Sequence, residues 1–308
     1  MKPEKVSSGS VLDYELLGDK MFVLGWQAGT KMPVLKVLQE SSDSVLIAFK
    51  LPFHAQSLYR DCVDNLHVLT ETDAYQLQPD SLSLGLFPLQ SINAFSTLIK
   101  PCAAANGNDF YLERPLVSGG SKAFFYVNKV TNRSKLLSQI QDPVITAMQQ
   151  DEARYRKRRA VAELDRTAQS AARKQEFARK VLYQPPYAPL FKIGKEVAIF
   201  NHLQGNISFY QRDTLTRTIP ITYPQRKDWG QEVIIDPVLQ RAYGRFDKNG
   251  IALLEEIDFT TGSTGPAYKI AFSFARKIRV YNGRVYFIYR DVSRQGRDFL
   301  YAARLEEL

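Results

Sequence analysis

Along most of this chain, apolar and polar residues alternate in short runs between Gly, Asn, Asp and Pro turn signals. That two-residue period is the mark of half-buried β-strands. The clearest group is Lys277 to Asn282, a turn at Gly283, Arg284 to Arg290, a polar loop through Gly296, and Phe299 to Leu305. Before it, Glu232 to Asp236, Arg241 to Phe246, Ala252 to Phe259 and Ala267 to Phe272 read as four strands, with the hairpin pair Asn249-Gly250 among their turns. The same paragraph returns as Leu12 to Leu17, Met21 to Trp26, Val34 to Leu38 and Val45 to Phe49. A further copy is Leu58 to Cys62, Leu66 to Thr70, Ala74 to Leu77 and Leu82 to Leu86. Another is Leu190 to Ile193, Val197 to Asn201, Ile207 to Tyr210 and Leu215 to Ile219. A weaker one, from Phe95 to Gln141, includes Asp109 to Leu112 and Ala123 to Asn128.

Copies opening near Leu12, Ser57, Phe95, Leu190, Glu232 and Lys277 are spaced by 45, 38, 95, 42 and 45 residues. A unit of four strands recurring near every 45 residues predicts blades of a propeller, and six copies predict six blades. The last copy has three strands before the chain ends, so a fourth is expected from the N-terminal end. Some of Lys5 to Val11 should pair beside Phe299 to Leu305, because an unpaired blade edge is a template for aggregation.

One stretch breaks the rhythm. From Val144 to Tyr183 there is no Gly or Pro, and Ala, Gln, Glu, Lys and Arg dominate, which are strong helix formers. Asp142 before Pro143 predicts an N-cap with Pro at the first helical position, and Pro185-Pro186 predicts the stop. Val161, Leu164, Ala168, Ala171 and Ala172 form a narrow apolar stripe at helical spacing. A helical insertion over residues 142–184, as one helix or as a hairpin bent near Arg156 to Arg159, is therefore expected between blades three and four. The fold class is all-β, a single propeller domain over residues 1–308 carrying that insertion.

The phrases LYRDCVDNLHVLTETDAYQL (Leu58 to Leu77) and VYNGRVYFIYRD (Val280 to Asp291) resemble blades of six-bladed propellers of the bacterial NHL-repeat and TolB-like kind. The resemblance spans most of the chain outside the insertion. It implies a fold and favours an exported location, periplasmic or at the cell surface. A cytoplasmic location is the expectation if Met1 is the native start.

Charge sharpens the division. The formal net charge is +9, and residues 151–180 hold ten Lys or Arg against five Asp or Glu, so over half the excess lies in the insertion. Arg154, Arg156, Lys157, Arg158 and Arg159 are candidates for a partner-binding or polyanion-binding arm; the bland alternative is a solvated, salt-bridged helix. Nucleic acid is not the expected partner, since Tyr155 is the run's one obvious stacking residue. No apolar run approaches the length of a membrane-spanning helix.

Catalytic signatures are sparse. His54, His67 and His202 occur in no HExxH, HxH or HxxxH pattern, and no GxSxG, P-loop or GxGxxG is present. No catalytic residue, metal or cofactor is assigned. His67 reads as a satisfied neutral residue within a strand, and His202 as the best single candidate for chemistry. Cys62 and Cys102 have no CxxC spacing, so a zinc site is excluded by pattern. They read as two buried small hydrophobes, with a disulfide as the alternative in an oxidising compartment.

Propellers bind ligands at the mouth of the central channel, on loops held by rigid strands. The candidate mouth residues are Arg60, Asp61, Asn201, His202, Asp236, Arg245, Asp247, Arg290 and Asp291. The bland reading is that the acidic and Asn residues close β-turns, Asp61, Asp64 and Asp247 above all. The functional expectation is a non-enzymatic, monomeric propeller presenting a rigid face to a protein or glycan. The alternatives are a sugar or lactone hydrolase or lyase at the channel mouth, and polyanion binding through the arm.

Overall fold

The computed structural model describes residues 3–7, 9–27, 32–40, 44–79, 84–116, 119–160, 184–291 and 296–305. Six four-stranded antiparallel sheets make a six-bladed propeller. The first, axial strands of blades one to six are Val11–Leu17, Ser57–Arg60, Cys102–Asn106, Leu190–Ile193, Trp229–Asp236 and Arg276–Tyr281. Five of the six lie within three residues of the starts read from the repeat. The exception is blade three, where Phe95 belongs to helix α1 (Ile92–Leu98) instead of a strand.

Each blade folds as a meander because its turns suit the strand twist. Asn249-Gly250 and Asn282-Gly283 hold both residues at positive φ, the geometry of the tight hairpin turn that right-twisted strands require. Blade six is completed by the N-terminal strand Glu4–Lys5, with Glu4 opposite Ala302 and Lys5 opposite Tyr301. Val6 N–H then donates to the Leu300 carbonyl at 2.9 Å, and the Lys5 ammonium sits 3.5 Å from the centroid of Phe299. The first and last segments therefore meet, as the repeat count requires.

The core lies between blades. Ile234, Tyr243, Leu254 and Ile270 of blade five interleave with Ile278, Val280, Val285, Phe287 and Phe299 of blade six. Similar clusters join blade six to one, one to two, three to four, and four to five. Polar staples accompany them: the buried Tyr14 hydroxyl of blade one donates to the backbone carbonyl of Tyr286 of blade six at 2.9 Å.

Blades two and three meet differently. Phe95 of α1 is fully buried with Leu69 and Ala74, edge-on to Tyr59 and His67, in a cluster that includes no buried residue of blade three. A disulfide, Cys62–Cys102, joins the turn after blade two's first strand to the start of blade three, with Cα atoms 5.6 Å apart. This corrects the reading of the cysteines as separate buried thiols. Strand alternation cannot reveal that the end of one axial strand faces the start of the next.

After blade three the chain enters helix α2 (Pro143–Ala160). Asp142 caps it, its carboxylate accepting from the N–H groups of Val144 at 2.8 Å and Ile145 at 3.2 Å. The helix runs unbroken through Arg156 to Arg159. The apolar stripe from Val161 to Ala172, the end of the helix before Pro185 and the choice between helix and hairpin lie outside the described residues. No helix among the described residues is long and apolar enough to cross a membrane.

Candidate functional site

The six axial strands run in one direction, so their side chains wall a channel along the ring axis, a cavity of about 680 Å³. Strand direction also sorts the loops. Turns between first and second strands, and between third and fourth, lie on one side of each blade, here the turn face. Turns between second and third strands, and the crossings between blades, lie on the other, the crossover face. Blade three is out of step with blade two, since Cys102 at the start of its axial strand bonds Cys62 in blade two's turn. Helices α1 and α2 begin on the crossover face.

The proposed mouth residues divide between these faces. Arg60, Asp61 and Asp236 sit at the ends of axial strands, on the turn face. Asn201, His202, Arg245, Asp247, Arg290 and Asp291 sit at or near the far ends of second strands, towards the crossover face. The structure therefore does not gather the nine around one opening. Of them, only Arg60 and Asp61 line the channel cavity.

Several carboxylates are already committed. Buried Asp236 accepts from the N–H groups of Val238, Leu239 and Asn282 at 3.0–3.1 Å and of Gly283 at 2.7 Å, tying the turns of blades five and six together. Asp61 accepts from the N–H groups of Val63 at 3.0 Å and Asn65 at 2.8 Å, and from the Asn65 amide at 3.0 Å. Its other contact is His67 Nε2 at 3.0 Å, while His67 Nδ1 is buried without a partner. Burial alone would raise the Asp61 carboxyl; the hydrogen bonds from His67 and Asn65 outweigh it and hold the group below its ordinary range. Arg245 bridges Glu232 at 2.8 Å and Asp247 at 3.0 Å. Asn201 pairs with Gln204 at 2.8 Å, and Arg290 Nε donates to the Gly296 carbonyl at 2.9 Å.

His202 lies inside an aromatic cage. Its ring stacks on Tyr187 at 5.1 Å and packs against Trp229 at 5.2 Å and Tyr223 at 5.7 Å. Nδ1 lies 3.0 Å from the Tyr187 carbonyl, which can only accept, so Nδ1 carries the proton. Nε2 is then the acceptor for the Tyr223 hydroxyl, 3.0 Å away. Burial drives the imidazole down to about 4, against a smaller opposing effect of the Tyr187 carbonyl. At neutral pH this is an uncharged ring with both nitrogens engaged, suited to holding Tyr187 and Tyr223 in place. A general base needs its lone pair free for substrate.

Several charged residues of the channel wall escaped the sequence reading, among them Glu15, Lys192 and Arg279 near the ends of axial strands. Glu15 is buried and meets Arg279 at 2.5 Å. Burial holds its carboxyl above the ordinary range, with Arg279 and Arg60 pulling the other way. Arg279 Nε is buried without a partner. The signal that could have found them is positional, because each lies within three residues of the turn that ends its axial strand. Aligning the copies on that turn puts Glu15 and Arg279 at the same position, with Lys192 one residue nearer the turn.

Among the described residues, no group of His, Cys, Asp and Glu is placed to hold a metal ion. No family model matches this sequence, and no curated protein matches it. Two solved structures are remotely similar along nearly their whole length. The calcium-binding protein regucalcin of Agrobacterium tumefaciens is similar at a TM-score of 0.46 and 10% identity, over 98% of this chain and 93% of that one. The β-propeller domain of the Trilobed protease of Pyrococcus furiosus, which has an open velcro topology, is similar at a TM-score of 0.43 and 8% identity, over 96% and 95%. Likeness this remote concerns architecture only, and propellers host many unrelated activities.

Proposed function

We propose that this chain is a non-enzymatic propeller of the bacterial NHL-repeat, TolB-like kind, one domain whose crossover face and helical arm engage a protein or glycan. The observation that carries this reading is the course of α2. After its first turn, where Ile145 lies over Gly120, the helix leaves the ring, and Met148, Asp151 and Arg154 are exposed. A ring closed by its own strands has no structural need of such an element. Exposed apolar side chains share that face: Leu98 on α1, Leu203, and Phe274, which is 76% exposed. The locked state of His202 argues against the sugar or lactone hydrolase alternative, since that reading relied on it.

The test is photocrosslinking from Arg154 on the arm and, separately, from Leu215 on the turn-face side, in cells and against a glycan array. The expected result is a discrete adduct from position 154 that disappears when residues 144–183 are replaced by a Gly-Ser linker. Equal labelling from both positions would sink the reading. Turnover of a lactone or glycoside that is lost in His202→Gln would establish the hydrolase instead.

A further inference from the structure

We propose that the turn-face end of the channel binds a small multivalent oxyanion, a ligand bearing two or more carboxylate or phosphate groups. This site lies on the opposite side of the ring from the arm and is independent of the partner proposed above. Four cations line the cavity: Arg60 on blade two, Lys192 on blade four and Arg279 on blade six, with Lys100 in the crossing before blade three. The three on blades line the same cavity and lie within three residues of the turn ending their axial strand.

The balance of free donors and acceptors selects the ligand. The wall also contains Glu15, Asp61, Asp64, Glu113 and Glu232, so its formal charge is mixed. Most of those carboxylates are spent. Glu15 is bound to Arg279, Glu113 to Lys122 at 2.6 Å, and Glu232 to Arg245 at 2.8 Å. Asp61 is saturated by its own turn and His67. Asp64 is 70% exposed and only 3.8 Å from Arg60 Nε, a loose contact in water.

The donors are not spent. Lys192 is exposed and engages no carboxylate among the described residues. Arg60 gives one N–H to the Leu16 carbonyl at 3.2 Å, leaving most of its fork available. Arg279 is the exception: its charge is paired with Glu15 and its partnerless Nε is buried, so it adds positive field and no free donor. A cavity with free cationic donors and few free acceptors is matched by an anion rich in acceptors, and guanidinium suits the planar geometry of carboxylate and phosphate. Tyr59, Phe191 and Tyr281 supply the apolar remainder of the wall, room for a small carbon skeleton.

Isothermal titration of the full chain with citrate and with pyrophosphate tests this and separates carboxylate from phosphate chemistry. Saturable binding of at least one is expected, weakened about tenfold or more in Arg60→Gln/Lys192→Gln and weakened by added salt. Lys269→Gln, an exposed lysine on the outer strand of blade five, should bind like the parent, as should the chain lacking residues 144–183. If the double variant melts lower than the parent, Lys192→Gln alone carries the comparison. Absence of saturable binding of both probes, or binding that survives these substitutions, overturns the proposal.

Discussion

The junction between blades five and six and the junction between blades two and three solve one problem by different physics. At the former, Phe287, Val280 and Leu254 interdigitate, and the adhesion is apolar burial spread over both sheets. At the latter, the cluster includes no buried residue of blade three, whose Ala103 and Ala104 pack instead with blade four. A plug and a bond take over. Phe95 fills the space beside blade two, and Cys62–Cys102 fixes the two axial strands. A closed ring is no tighter than its weakest joint, so the poorest apolar seam is the one that gains a covalent tie.

The largest expected effect tests the ring's other special joint. Deleting residues 1–6 removes the edge strand of blade six together with buried Val6. We expect a loss on the order of 5 kcal/mol, from one buried Val and the lost strand hydrogen bonds with their exposed partners. That is a fall of several degrees in melting temperature; an unchanged melt would mean the ring does not depend on this closure.

Next comes the two–three junction itself. Cys62→Ser/Cys102→Ser opens a loop with a sequence separation of 40 residues, and chain-entropy reasoning gives about 4 kcal/mol. Phe95→Ala should cost about 3–5 kcal/mol. Because plug and bond serve one seam, the combined variant should depart from additivity by about 1 kcal/mol or more. The disulfide pair combined with Phe287→Ala, in the distant seam, should be additive. Melting curves of the disulfide pair, Phe95→Ala, Phe287→Ala and the two combinations decide between these outcomes.

The smallest effect concerns the cage around His202. Its folded-state value near 4 lies below the ordinary 6.5, so between these limits the unfolded chain binds a proton that the folded chain refuses. Stability is full above pH 6.5 and is lost as pH falls towards 4, by about 3 kcal/mol in all. His202→Gln should flatten that slope by close to one proton in chemical denaturation; an unaltered slope would refute the buried neutral imidazole.

Much of this architecture was legible in the order of residues. Period-two alternation located five of six blade starts, since a strand with one buried face must alternate. Asp142-Pro143 located the helix, since capping is a local event. Phe95 misled because an apolar residue filling a gap between blades looks like one beginning a strand. The disulfide was hidden because two positions forty residues apart meet only after the sheets stack. The division of mouth residues between two faces was likewise hidden. Alternation reports which side of a sheet a residue occupies, whereas the end of the channel it reaches depends on strand direction. Glu15 and Arg279 could have been found by aligning repeats on their turns, because they occupy the same place in blades one and six, with Lys192 one residue away.

The pairing of Glu4 with Ala302 also sets a timetable for synthesis. At about 5–20 residues per second, some 15–60 s separate the emergence of the two partners from the ribosome. Throughout that interval a short segment must wait without its mate while five blades assemble beside it. Its brevity and its charges, Glu4 and Lys5, discourage it from pairing with strangers in the meantime. The last event in making this ring is therefore the arrival of its beginning.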